Sequence, residues 1–353
     1  MTDRKAEKSL TGSSSGAGDM FWRGVRVRLR REGLVQRFSL VIVWGIVVLV
    51  FSLLSKTSGT FPTVANFSSI FGTQAVLVVL TLGILIPLTA GDYDLSVAAT
   101  LTAAAMMVAI LNANDHWSIY LTMIVVLAMG ATVGFVNGAI VVLIGVDPFI
   151  VTLGMATFIE GVVLWMSNSL TISGVSTGLV TAVALDRFLS VPLEFWYAIA
   201  LMVVLWYVFE FTAVGRRLLF VGRGRSVSRL SGINVGRARW GAFVASGTVA
   251  AGAGIMYVGT TGAADPTSGL SFLLPAYAAA FLGATCIMPG RFNPIGATIA
   301  VYFLTTGISG LQLFGAQSYV QELFYGAALV IAVALTQIST RRQGQSGVPS
   351  ASG

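Results

Sequence analysis

Residues 75–96 read AVLVVLTLGILIPLTAGDYDLS. No side chain from Ala75 to Ala90 carries a charge, and the uncharged run reaches back past Ser69 to Thr57. A helix crossing a hydrocarbon core of about 30 Å needs roughly 20 apolar residues, so 69–90 is read as a membrane span. The chain then turns on Gly91-Asp92-Tyr93-Asp94 and begins a second apolar run at once. Working outward, the same reading gives spans at 38–55, 69–90, 95–112, 118–143, 149–168, 194–214, 241–261, 273–288, 294–313 and 319–338. Backbone groups in lipid must bond internally, so runs this long predict an all-α bundle of about ten transmembrane helices. The alternating pattern of a transmembrane barrel is absent.

Composition agrees. Of 353 residues, 56% are hydrophobic and 10% are charged, against about 25% charged in soluble domains; mean hydropathy is +0.85. The net charge of +7 is unevenly placed. Nine basic residues lie in 1–37, and seven arginines with no acid lie in 215–240. Arg341 and Arg342 follow the last span. Basic residues flanking spans mark the cytoplasmic side. Six spans between the first two stretches and four between the last two place all three inside, with both termini cytoplasmic. Arg291 then also falls inside, while Lys56 and Arg187 fall outside. The domains are therefore a basic N-terminal segment 1–37 suited to lie on an anionic leaflet, a membrane domain 38–338, and a tail 339–353. A nucleic-acid patch is set aside, because the positive-inside rule explains the same residues.

Several chemistries are excluded. One cysteine (Cys286) allows no internal disulfide, and one histidine (His116) allows no multi-histidine metal site. None of Lys5, Lys8 and Lys56 sits in a phosphate-binding loop. The chain is thus expected to bind no metal or cofactor and to catalyse no reaction; if ATP drives it, a partner subunit hydrolyses the ATP.

Two acids in the turn after the 69–90 span are costly near hydrocarbon. Asp94 can cap the next helix, taking its free N–H groups, or the break can line a substrate path; the two readings are compatible. The cap reading makes Asp94 the more important acid and Asp92 the lesser one. A comparable break, Pro289-Gly290-Arg291-Phe292-Asn293-Pro294, joins two later spans and hints at an internal repeat. Gly130, Gly134 and Gly138 share a helix face with Asn137, which suits close helix packing with a hydrogen bond across it. Glu160 sits mid-span, open to a structural or a functional role. Proton relays are hard to assemble from so few buried ionisable groups. In 215–240, Ser226 to Ser231 suits a short helix ended by Gly232. Val227, Leu230 and Ile233 then form an apolar ridge flanked by arginines, a docking surface for a cytoplasmic partner. The bundle is expected not to need these three side chains for its own packing.

Five stretches carry a resemblance: Asp94-Leu95-Ser96-Val97; Gly134-Phe135-Val136-Asn137-Gly138; Pro148 to Gly154; Arg229-Leu230-Ser231-Gly232-Ile233-Asn234-Val235; and Gly283 to Gly326, with Gly310-Leu311 and Gln321. In this order and spacing the chain resembles the permease subunit of bacterial ABC importers of the ribose-type sugar class. The resemblance implies a type II importer-like fold in the cytoplasmic membrane, with the path at a dimer interface. It also implies a second permease subunit (a homodimer), two ABC ATPase domains and an extracytoplasmic sugar-binding protein. It makes Asp94, Ser96, Asn137, Phe149, Thr152 and Ser309 candidate path residues. It makes Val227, Arg229, Leu230, Ser231, Gly232 and Ile233 the coupling residues. The chain departs from the family pattern at Gly224 to Ser228, at Met288-Pro289 and at Ser309. An ATP-independent facilitator or secondary carrier for a small polar solute is the alternative; it would need no docking helix.

Overall fold

The computed structural model describes residues 37–345. The basic segment before Arg37 and the tail beyond Gln345 lie outside the described residues. Helices α1 Arg37–Leu53, α2 Val64–Thr73, α3 Ala75–Thr89, α4 Ser96–Ala109, α5 Ile119–Ala139, α6 Pro148–Ser167 and a short α7 Thr177–Val180 form the first half. Helices α8 Leu193–Phe211, α9 Ala213–Arg223, α10 Arg225–Leu230, α11 Val235–Thr261, α12 Leu270–Gly283, α13 Pro294–Phe314 and α14 Tyr319–Gln345 follow. Among the described residues seven helical segments, counting α2 and α3 as one, are long and apolar enough to cross a membrane, and α1, α12 and the Tyr319–Ala334 part of α14 are shorter apolar stretches. The protein is a multi-pass membrane helix bundle.

An apolar helix without a polar stripe can lie in lipid or in the protein core; α3 lies in the core, with every residue buried. It packs against α8, α11, α12 and α13. The closest seam is α5 on α11. A Cβ on Gly134 would lie 2.1 Å from the Phe243 carbonyl oxygen, and one on Gly247 would lie 2.3 Å from that of Gly130. The glycine face therefore packs backbone to backbone, as its four-residue spacing predicts.

Local signals start and stop the helices. Asp147 accepts from the Phe149 N–H (2.9 Å) ahead of Pro148 in α6, and Asn293 accepts from the Gly296 N–H (2.6 Å) ahead of Pro294 in α13. Pro at the first helical position loses no needed donor. α10 ends where Gly232 turns left-handed (φ 78°). There the Gly232 N–H bonds the Arg229 carbonyl (3.1 Å) and the Ile233 N–H bonds that of Ser228 (3.0 Å), the paired bonds of a Schellman stop.

Some boundaries move. α11 begins at Val235, inside the stretch expected to be extramembrane, and α12 ends at Gly283 rather than 288. α14 continues as helix through the first residues of the expected tail. The α3–α4 and α12–α13 turns lie at the end of the bundle that carries α9 and α10, tied there by the Asp92–Arg225 and Glu210–Arg291 contacts. The opposite end carries two small antiparallel strand pairs, Ile172–Ser173 with Ala263–Ala264 and Arg187–Phe188 with Val191–Pro192.

Candidate functional site

Three regions carry polar chemistry. The first is a packed joint around Asp94. Its carboxylate takes the Ser96 N–H (3.1 Å) and the Ser96 hydroxyl (2.6 Å), at the start of α4. The Asn137 amide donates to that hydroxyl (2.8 Å) from α5. The Leu95 N–H donates to the Thr152 hydroxyl of α6 (3.1 Å), and the Tyr277 hydroxyl of α12 donates to the Asp94 carbonyl (3.0 Å). Burial pushes the Asp94 carboxyl above the usual carboxylate range, and the hydrogen bonds from Ser96 partly offset it. Asp94 therefore bonds the first N–H of α4 from the position before the N-cap; the N-cap, Leu95, makes no side-chain cap bond itself. Four of the candidate path residues, Asp94, Ser96, Asn137 and Thr152, meet here and are all buried. Phe149, three residues before Thr152 on α6, is half-exposed and takes no part in these bonds through its side chain.

The second region is the cavity that Ser309 lines. It measures about 370 Å³ and lies between α2, α3, α12, α13 and α14. The amides of Asn66, Gln74, Gln312 and Gln321 and the hydroxyls of serines, threonines and Tyr325, Ser309 among them, supply its hydrogen-bonding groups, and among the described residues no charged one lines it. The Gln312 amide donates to Gln321 (3.1 Å). The helix run from Val64 to Thr89 is interrupted at Gln74, which borders this cavity. The Gly91–Leu95 break, by contrast, forms a tight turn that buries its two acids and leaves Gly91 and Tyr93 exposed. Five elements build the cavity and no local motif announces it. The signal available beforehand was an excess of amides within spans.

The third region is the coupling segment. α10 presents Val227 and Leu230 outward, 67% and 90% exposed, while Ser228 is buried against the bundle. Ile233 does not extend this ridge, contrary to the expectation from its spacing. The left-handed Gly232 ends the helix, and Ile233 turns back to pack on the bundle core. Arg229 and Ser231 are on the exposed side, and Ser231 donates to the Val227 carbonyl (3.0 Å).

Asp92 joins the first and third regions, and the expectation that it matters less than Asp94 does not fit its surroundings. Its side chain is fully buried. Arg225 Nη2 reaches it at 2.7 Å, and Arg239 grips both oxygens at 2.7 and 2.8 Å. Arg225 also donates to the Gly91 carbonyl (3.1 Å). The paired acid lies 133 and 147 positions from these arginines. Arg225 is one of the positions where the segment departs from the family pattern. A further buried acid, Glu194 at the start of α8, accepts from Thr260. Among the described residues no three His, Cys, Asp or Glu side chains gather as a metal site.

The chain is a membrane helix bundle with an uncharged polar cavity and, at one end, a short basic helix that exposes Val227 and Leu230, and the family it matches makes it a transport permease. Residues 66–333 match the family described as branched-chain amino acid transport system, permease component, and the chain belongs to that family. The D-allose transport system permease protein AlsC of Escherichia coli K12 is 27% identical over 86% of this chain and 93% of its own length. The ribose import permease protein RbsC of the same organism is 29% identical, covering 85% and 93%. Its galactose/methyl galactoside import permease protein MglC is 28% identical, covering 85% and 95%. No solved structure matches the chain.

Proposed function

We propose that the chain is the permease subunit of an ATP-driven ABC importer that carries a sugar or sugar-like solute across the bacterial inner membrane. The relatives named for allose, ribose and galactose support the solute class. The cavity supports it too: amides and hydroxyls without a charge suit a neutral polyol. The observation that carries the ATP-driven reading is Leu230. A leucine left 90% exposed on a helix anchored by a buried serine and an ion pair is a docking contact awaiting a partner.

The same reading takes ten spans with α9 and α10 on the cytoplasmic side, two permease copies, two ATPase domains and an extracytoplasmic binding protein. The outward face of α6 suits a second copy. Gly154 and Gly161 have open space before them, and half-buried Glu160 lies beside them with no hydrogen bond or ion pair to a described residue. An acid on a lipid-facing surface is costly, so this face is read as covered or as lining the path. The paths taken by Asp94, Ser96, Asn137, Phe149, Thr152 and Ser309 then differ. Ser309 faces solute directly, whereas the Asp94 group holds α4, α5 and α6 together beside the path.

The test is copurification of a tagged ATPase with wild-type and Leu230→Asp permease at equal membrane levels. An apolar anchor at a packed interface is worth about 2 kcal/mol or more, so Leu230→Asp should abolish both the complex and sugar-stimulated ATP hydrolysis. Undiminished copurification would return the facilitator reading.

A further inference from the structure

A second cavity, about 770 Å³, opens between α8, α9 and the start of α11. Leu205, Phe209, Leu218 and Ala245 line its interior, and Arg217 and Arg237 stand among the residues that close it toward α9 and α10. On α11 the distance from Arg237 to Ala245 is eight residues, ~12 Å at the helical rise. That approaches half of a hydrocarbon core of about 30 Å. The groove thus runs from a membrane surface about one leaflet deep, with cations at its mouth and hydrocarbon along its length.

The cations have no counter-ion within the described residues. Neither the Arg217 nor the Arg237 side chain makes an ion pair or hydrogen bond there. The acids at this end are engaged elsewhere: Asp92 with Arg225 and Arg239, Glu210 with Arg291, Asp94 with Ser96, and Asp147 with the Phe149 N–H. The flanking segments outside the described residues are net basic or carry no charged side chain. Residues 1–36 hold eight Lys and Arg against four Asp and Glu, and residues 346–353 hold no charged side chain.

We propose that this groove binds one anionic phospholipid, its phosphate held at the mouth by Arg217 and Arg237 and an acyl chain lying over Leu205, Phe209 and Ala245. A zwitterionic lipid shares the acyl chain but carries no net charge, so the arginines make the site selective for the anionic headgroup. The inference needs only that the arginine end of the groove lies at a membrane surface. It stands whether or not the importer reading does.

The experiment uses the full chain in detergent, titrated with dioleoyl phosphatidylglycerol or dioleoyl phosphatidylcholine and read by native mass spectrometry. One phosphatidylglycerol should be retained in preference to phosphatidylcholine. Arg217→Gln with Arg237→Gln should weaken that retention by about 30-fold, from the attraction of two basic residues for an anionic headgroup. Arg216→Gln with Arg223→Gln removes the same charge from arginines that do not line the groove and should leave retention unchanged. Ala245→Phe narrows the apolar floor and should weaken both lipids together. Equal losses in the two arginine pairs would reduce the effect to general electrostatics and overturn the site. So would a double variant that keeps its lipid but loses the ATPase, which would make the groove a protein dock.

Discussion

Two turns at one end of the bundle do similar topological work with opposite chemistry. The α3–α4 turn buries two carboxylates and is bound to α10 and α11 through the Arg225–Asp92–Arg239 cluster. The α12–α13 turn relies on a neutral amide. Asn293 accepts from Gly296 and donates to the carbonyls of Gly283, Cys286 and Arg291, at 3.2–3.3 Å. Its only ion pair among the described residues, Arg291 with Glu210 at 2.7 Å, is partly exposed on both sides. The first turn is thus wired to the helix that carries the docking ridge, and the second is only fastened to its neighbour. A displacement of α10 reaches α4 and α11 directly and α13 only through intervening packing.

The largest expected effect is at Asp92. Asp92→Ala leaves two arginines facing a buried void, and removing one partner of a buried pair costs about 3–5 kcal/mol. Thermal unfolding in detergent should show a large drop in midpoint. Adding Arg239→Ala should recover part of it, because the least exposed cation is then gone as well. A loss below about 1 kcal/mol for the single change would erase the contrast between the turns. Asp94→Ala comes next. It removes a helix-start acceptor at about 0.5–2 kcal/mol, and it should lower the same midpoint by less than Asp92→Ala does. Asn293→Ala should cost about 1–2 kcal/mol, from the lost cap and the unpaired carbonyls. It should leave ATPase copurification intact, and loss of the complex would mean that the second turn is wired too. Arg291→Ala is the smallest change, within about 0–1 kcal/mol for a partly exposed pair, measured by the same unfolding shift at low and high salt.

What could be read in advance follows the range of the interactions. The spans, the Gly130–Gly134 face, the Gly232 stop and the Asp94 bond to Ser96 all depend on residues within a few positions, and periodicity or spacing reveals them. The Asp92 cluster was hidden because its partners lie more than a hundred positions away. Seven arginines without a local acid read as a membrane-side signal, which does not say that two of them are paired. Ile233 was misplaced because three-residue spacing implies one helix face only while the helix lasts, and here it had already ended. The cavity at Ser309 drew single polar residues from five helices, each unremarkable in its own apolar run.

The glycine seam sets what can move. Where Gly130, Gly134 and Gly247 bring α5 and α11 together, backbone meets backbone. Sliding of packed helices is normally absorbed by small side-chain shifts, and this contact contains no rotamers to shift. The pair behaves as one stiff beam, and α11 is also the helix that Arg239 clamps to Asp92. Any alternation of access must pivot around that beam rather than through it, so the hinges belong to the lighter helices on either side.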